Sequence, residues 1–166
     1  MLHLEHNRPL KQLTTFKIGG PARAFVEITD PGDLPEAFRH GEALRTNGGL
    51  PPLILGGGSN MLVSDAGYNG LVIQIANKGI TLSGIGYRVS GIEGSSKPSG
   101  NPKPETRNPA LRIASGEIWD DVVKFAVEHG LWGIENLSRI PGRAGAVPVQ
   151  NVGAYGQEIQ NVLVNV

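Results

Sequence analysis

No cysteine occurs among the 166 residues, which excludes a disulfide framework, a thiolate zinc site and a thiol nucleophile. Charge of one sign is not in surplus either, since 15 basic side chains balance 15 acidic ones. That balance argues against nucleic acid and acidic membranes as partners, because both select a net basic face. No apolar run approaches the roughly 18 residues of a spanning helix. Met1 to Lys17 mix charge, His and Pro without an apolar stretch of signal-peptide length. These absences give the expectation of a soluble cytoplasmic protein in a reducing compartment, long enough for one core or two small subdomains.

Aromatic residues are scarce, whereas glycine, at 24 residues, is about twice its ordinary share. Such an excess points to tight turns or to backbone that closely approaches a ligand. Ala22 to Ile28 reads as a strand, and Asp33 with Pro35 behind it reads as a helix start. Leu34, Ala37, Phe38 and Leu44 keep helical spacing until Asn47-Gly48-Gly49 stops the helix. Leu53-Ile54-Leu55 is a short apolar strand, so strand, helix and strand form a βαβ unit. Leu71 to Ile75 is a further strand.

Gly91 to Pro109 holds three Ser, three Gly and four Pro, with almost nothing apolar after Ile92. It reads as an exposed loop insert, with a binding loop as the alternative, between strands at Tyr87–Ser90 and Ala110–Ala114. Trp119 to Glu128 is the clearest helix, with Ile118, Val122, Phe125 and Ala126 as its stripe and Gly130 as its stop. His129 then suits the helix C-terminus, and Glu117, Asp120 and Asp121 suit its N-terminus. Val162 to Val166 reads as the start of an unpaired strand, an edge that invites self-association. His3 and His6 read as part of a frayed terminus rather than a metal pair.

Two segments carry candidate chemistry. The first is Gly56-Gly57-Gly58-Ser59-Asn60, leaving a buried strand. Successive backbone N–H groups there can converge on an anion, with Ser59 and Asn60 adding donors. It is neither a Walker A loop nor a dinucleotide fingerprint, since no Gly-Lys-Ser/Thr follows and Met61 takes the place of the last glycine. The bland alternative is a tight strand-exit turn. The second segment, Glu135 to Gly156, combines small residues with the amides of Asn136, Gln150 and Asn151. It suits a surface laid against a planar or sugar-phosphate ligand, the alternative being a long glycine-rich connection. Arg139 and Arg143 flank Ile140-Pro141-Gly142 and suit either a phosphate or pyridine nucleotide, or a surface ion pair.

Taken in order, Thr14 to Gly20, Leu55 to Asn60, Gly133 to Leu137, Ile140-Pro141-Gly142 and Pro148 to Gly156 resemble the UDP-N-acetylenolpyruvoylglucosamine reductase (UDP-N-acetylmuramate dehydrogenase) family. The resemblance implies an α+β (mixed α/β) FAD-binding fold of the p-cresol methylhydroxylase/vanillyl-alcohol oxidase type, with two small subdomains. Residues 1–80 would form the first and 81–166 an incomplete second, with 91–109 as an insert and the substrate domain absent. It implies Gly56, Gly57, Gly58, Ser59 and Asn60 on the FAD pyrophosphate. Ile140, Pro141 and Gly142, then Gln150, Asn151, Gly153, Ala154, Tyr155 and Gly156, would line the ribityl chain and flavin ring. The Phe16 segment matches a part of the family taken as structural.

The activity so implied is NADPH-driven reduction of the enolpyruvyl group of a UDP-sugar, for peptidoglycan synthesis. The family's catalytic Arg, Ser and Glu lie C-terminal to the Gln150–Gly156 motif, so no catalytic residue is carried over and the chain alone is expected to be inactive. One rival is a flavin oxidase of the same scaffold with another acceptor. Many such oxidases tether FAD through His or Cys, and neither motif here contains one. The other rival is a non-catalytic nucleotide-binding fragment.

Overall fold

The computed structural model describes residues 2–84 and 109–166. It begins with β1 (Glu5–Pro9), which runs antiparallel to β2 (Pro21–Ile28). His6 therefore sits in a paired strand, opposite Ala24, rather than in a frayed terminus. Helix α1 (Leu34–Thr46) follows, then β3 (Leu53–Leu55) and β4 (Tyr68–Ile75). The sheet order is β1-β2-β4-β3, with β2, β4 and β3 mutually parallel. The βαβ pattern of β2, α1 and β3 is thus present, but β4 is inserted between its two strands.

Asp33 does not cap α1 with its side chain; Asp30 accepts from the Gly32 N–H at 2.8 Å and starts a single 3-10 turn that leads into the helix. The helix lies close to the sheet connection because Gly41 has no side chain. A Cβ there would come within 2.3 Å of Pro52 Cγ. Ala24, Val26 and Ile28 of β2 and Leu71 and Ile73 of β4 pack with Ala37 of α1 on one face of the sheet. Leu10, Phe25, Leu55 and Val72 form the core of the other face. Burial of each large aliphatic side chain in these layers contributes about 1.5–3 kcal/mol relative to exposure.

The second half pairs β5 (Ile80–Gly84) antiparallel with β6 (Pro109–Ile113). The strand expected at Tyr87–Ser90 and the insert from 91 to 108 lie outside the described residues. Pro109, assigned by sequence to the insert, is the first residue of β6. Helix α2 (Trp119–Glu128) packs its Trp119, Val122, Val123 and Ala126 against Ile134, Leu137, Val147 and Ile159. The buried stripe is therefore rotated from the expected one. Ile118 is the exposed N-cap residue, and Trp119 turns inward because its indole N–H donates to the Leu137 carbonyl at 2.9 Å. His129 ends α2 as expected, its ring stacked on Phe125 at 3.9 Å and Nδ1 2.8 Å from the Phe125 carbonyl. Gly130 follows in the left-handed region, at φ +68°.

The strand expected at Val162–Val166 does not form. The Ile159 carbonyl accepts from both Val162 and Leu163, which curls the chain, and no described strand runs alongside to pair with it. Strand propensity is expressed only against a neighbouring strand. The edge that was to drive self-association is therefore missing. No helix among the described residues is long and apolar enough to cross a membrane.

Candidate functional site

Strand β3 ends at Leu55, beside Gln74 of β4, and the chain then leaves the carboxyl end of the parallel strands through Gly56, Gly57 and Gly58. In open parallel sheets this end is where ligands dock. Gly58 has φ +64°, and a Cβ on it would fall 2.0 Å from the Leu13 carbonyl oxygen. The Gly58 carbonyl in turn accepts from the Thr15 N–H at 3.1 Å. A Cβ on Gly57 would stand 3.0 Å from the Gly142 Cα, and one on Gly142 would stand 3.3 Å from Ser59 Oγ. Three segments distant in sequence thus meet backbone to backbone: 13–15, 56–59 and 142–143.

The Gly142 segment is held by the start of α2. The Trp119 N–H donates to the Gly142 carbonyl at 3.1 Å, and the Ala144 N–H donates to the Glu117 carbonyl at 2.8 Å. Asp120 accepts from the Arg139 N–H at 2.7 Å and from the Ser138 hydroxyl at 2.8 Å. Those bonds, the backbone one foremost, hold its carboxyl below the usual aspartate range. Asp120 so fixes the turn entering Ile140-Pro141-Gly142, in which Arg139 adopts φ +61°. Glu117 is likewise held below the usual range, first by the Gly79 N–H at 2.6 Å and then by Lys78 at 3.1 Å. Asp120 and Asp121 stand in the first turn of α2 as expected for complementing its dipole, and Glu117 and Asp120 also anchor loops.

Arg143 makes no surface ion pair among the described residues. Its Nη1 donates to the Ile75 carbonyl at 2.8 Å and to the Gly116 carbonyl at 3.3 Å, joining the end of β4 to the turn before α2. It also lines an open cleft of about 280 Å³, together with Gln12, Leu13, Thr14, Thr15, Lys17, Gly57 and Gln74. Arg139 is exposed and lies outside that lining.

The Gln150–Gly156 motif is built differently. After the short helix α3 (Ala146–Val149), β7 (Gly153–Ala154) and β8 (Gln157–Glu158) form a hairpin. Tyr155 and Gly156, at φ +52° and +81°, make its two-residue turn. The Asn151 amide donates to Glu158 at 3.0 Å. Gln157 accepts from the Asn136 N–H and donates to Glu135, both at 3.1 Å. Glu135, held low first by its own backbone N–H and then by that of Gly133, anchors the hairpin to residues 133–137. Tyr155 stands out at 91 % exposure. No residue of this motif lines the cleft, whereas Gly57 does and Gly142 abuts it.

Sequence reasoning missed one wall of the cleft. The segment around Phe16 is expected to be structural, yet its neighbours Gln12 to Thr15 and Lys17 form that wall, with Thr14 buried and its hydroxyl donating to the Ile18 carbonyl at 3.2 Å. Gln74 was missed as well, although a lone amide inside the apolar run Leu71 to Ile75 was a visible signal.

A family model described as an FAD binding domain matches residues 103–166. The UDP-N-acetylenolpyruvoylglucosamine reductase of Streptomyces coelicolor is 38% identical over 97% of this chain and 35% of its own length. That of Mycobacterium tuberculosis is 35% identical over 99% of this chain and 38% of its own length. Over nearly its whole length the chain is thus related to a part of these reductases. The chain spans little more than a third of the length of these curated relatives. The crystal structure of the reductase from Thermus caldophilus superposes with a TM-score of 0.61 at 23% identity, covering 96% of this chain and 45% of that one. That likeness shows the fold and agrees with the α+β architecture expected from sequence.

Proposed function

We propose that this chain is the FAD-binding part of a UDP-N-acetylenolpyruvoylglucosamine reductase, acting in peptidoglycan synthesis in the cytoplasm. What supports the reading most is the meeting of Gly57 with Gly142, which joins two family motifs at the rim of one cleft. The residues present suit a dinucleotide. Glycines admit backbone N–H groups to a diphosphate, and Lys17 and Arg143 supply positive charge beside it. When bound, FAD supplies the two-electron relay by which NADPH reduces the enolpyruvyl double bond of UDP-N-acetylglucosamine enolpyruvate to UDP-N-acetylmuramate.

In this reading residues 1–80 and 81–166 are the two flavin-binding subdomains. The binding set is Gly56 to Asn60, Ile140 to Gly142, Gln150, Asn151 and Gly153 to Gly156. The NADPH and UDP-sugar partners, and the groups that act on the acceptor carbon, belong to the whole enzyme. Nucleic acid and membrane are not partners. Self-association of the chain is favoured by the exposed apolar side chains of Val162, Val164 and Val166. The test is titration of the purified chain with FAD, followed by flavin fluorescence. Saturable quenching supports the reading, and its absence at FAD concentrations of several hundred micromolar overturns it.

A further inference from the structure

Strand β4 carries a buried polar residue near its carboxyl end. Gln74 is 7 % exposed, and its carboxamide makes no hydrogen bond among the described residues. Val72, two residues earlier on the same face, packs into the core of Leu10, Phe25 and Leu55. Gln74 instead lines the cleft, beside Leu55 and directly before the Gly56–Gly57 exit. The amide end stays accessible at the cleft rather than sealed in the core, so a hydrocarbon of the same size could replace it without loss of packing. Such a group in a core strand, open only to a cleft, is a donor and acceptor held for a ligand.

The remaining lining identifies which part of a ligand it meets. Lys17 has no ion pair among the described residues, Arg143 is a second cation, and Gly57 offers close backbone approach. Among the described residues no aromatic ring lines the cleft to stack a planar base or a flavin ring. The chemistry is that of an anion rich in acceptor oxygens. We propose that Gln74 is a specificity-determining residue whose Nε2–H donates to the diphosphate of the bound dinucleotide from the sheet side of the cleft. This rests on the FAD reading above and assigns a contact beyond the glycine loop.

The experiment compares the wild-type chain with Gln74→Met and Gln74→Glu, measuring FAD affinity by fluorescence and the melting temperature of each chain without ligand. Gln74→Met keeps the side-chain volume and removes the donor. It is expected to weaken FAD binding at least tenfold while leaving the ligand-free melting temperature unchanged or higher. Gln74→Glu places a carboxylate beside the diphosphate and is expected to bind more weakly still, the gap between the two variants narrowing as salt is raised. Equal FAD affinity for Gln74→Met and wild type overturns the proposal. So does a Gln74→Glu chain that binds no worse than Gln74→Met, which would place the diphosphate elsewhere. A fall of several degrees in the ligand-free melting temperature of Gln74→Met would make the residue structural and likewise overturn it. If the wild-type chain takes up no FAD, the flavin reading itself fails and this inference fails with it.

Discussion

Gly57 faces Gly142 so closely that a single added Cβ on Gly57 would lie 3.0 Å from the Gly142 Cα and 3.2 Å from its carbonyl carbon. Neither neighbour is a side-chain tip that can swing away. Gly57→Ala should therefore cost about 1–3 kcal/mol through overpacking, read as a shift of the urea midpoint. Gly57→Val should also reduce FAD affinity at least tenfold, since a branched Cβ blocks the approach of an anion to the loop. Equal flavin quenching by a folded Gly57→Val chain would place the diphosphate elsewhere.

Arg143 bonds two carbonyls from different halves of the chain, Ile75 and Gly116. Charged donors to such oxygens contribute about 1.5–3 kcal/mol. Arg143→Met should lower unfolding stability by about that amount. Arg143→Lys should recover only part, because both bonds leave the one nitrogen Nη1 and the more strongly hydrated ammonium loses more on leaving water to make them. Full recovery by lysine in urea unfolding would mean that charge alone matters.

Asp120, Glu117 and Glu135 all have carboxyls held below their ordinary range in the folded chain. A depressed folded pKa gives stability that is present above the unfolded value and lost as pH falls through the folded one. The melting temperature should thus be level from neutral pH down to about 5 and fall through the acid range below about 4. Asp120→Asn should flatten that acid limb while keeping an acceptor for the Ser138 and Arg139 donors. An acid limb as steep in Asp120→Asn as in wild type would remove Asp120 from the explanation.

The 166-residue chain with added FAD should show no NADPH oxidation dependent on UDP-N-acetylglucosamine enolpyruvate, because the resemblance carries no catalytic residue onto its positions. Turnover at about 1 per second or more would overturn this. It would direct the search to Arg139, Arg143, Tyr155 and Glu158.

The sheet of the first half was legible because its signals are local. Val26, Ile28, Leu71 and Ile73 alternate or run together, and Asn47-Gly48-Gly49 punctuates α1. The position of β4 between β2 and β3 was not legible, since strand order depends on pairing at a distance. The stripe of α2 was displaced because one hydrogen bond, from Trp119 to Leu137, fixes which side chain turns inward. Asp120 was read as a dipole partner because Ser138 and Arg139, which it anchors, lie far along the chain. In the site, the Gly56–Gly58 exit was visible as composition, whereas Gln12 to Thr15 and Lys17 reach the cleft only through tertiary folding. Val162 to Val166 shows the converse, a valine-rich segment with no strand among the described residues to extend against.

The two tryptophans of the chain stand in opposite surroundings: Trp119 is 2% exposed with its indole bonded, and Trp132 is 85% exposed. Neither belongs to the four-stranded sheet. Intrinsic emission should therefore split into a blue component shielded from iodide and a red component open to it. The shielded signal reports only the packing around α2. Compared with a far-ultraviolet circular dichroism melt, it reveals directly whether the sheet and the α2 core come apart together or in sequence.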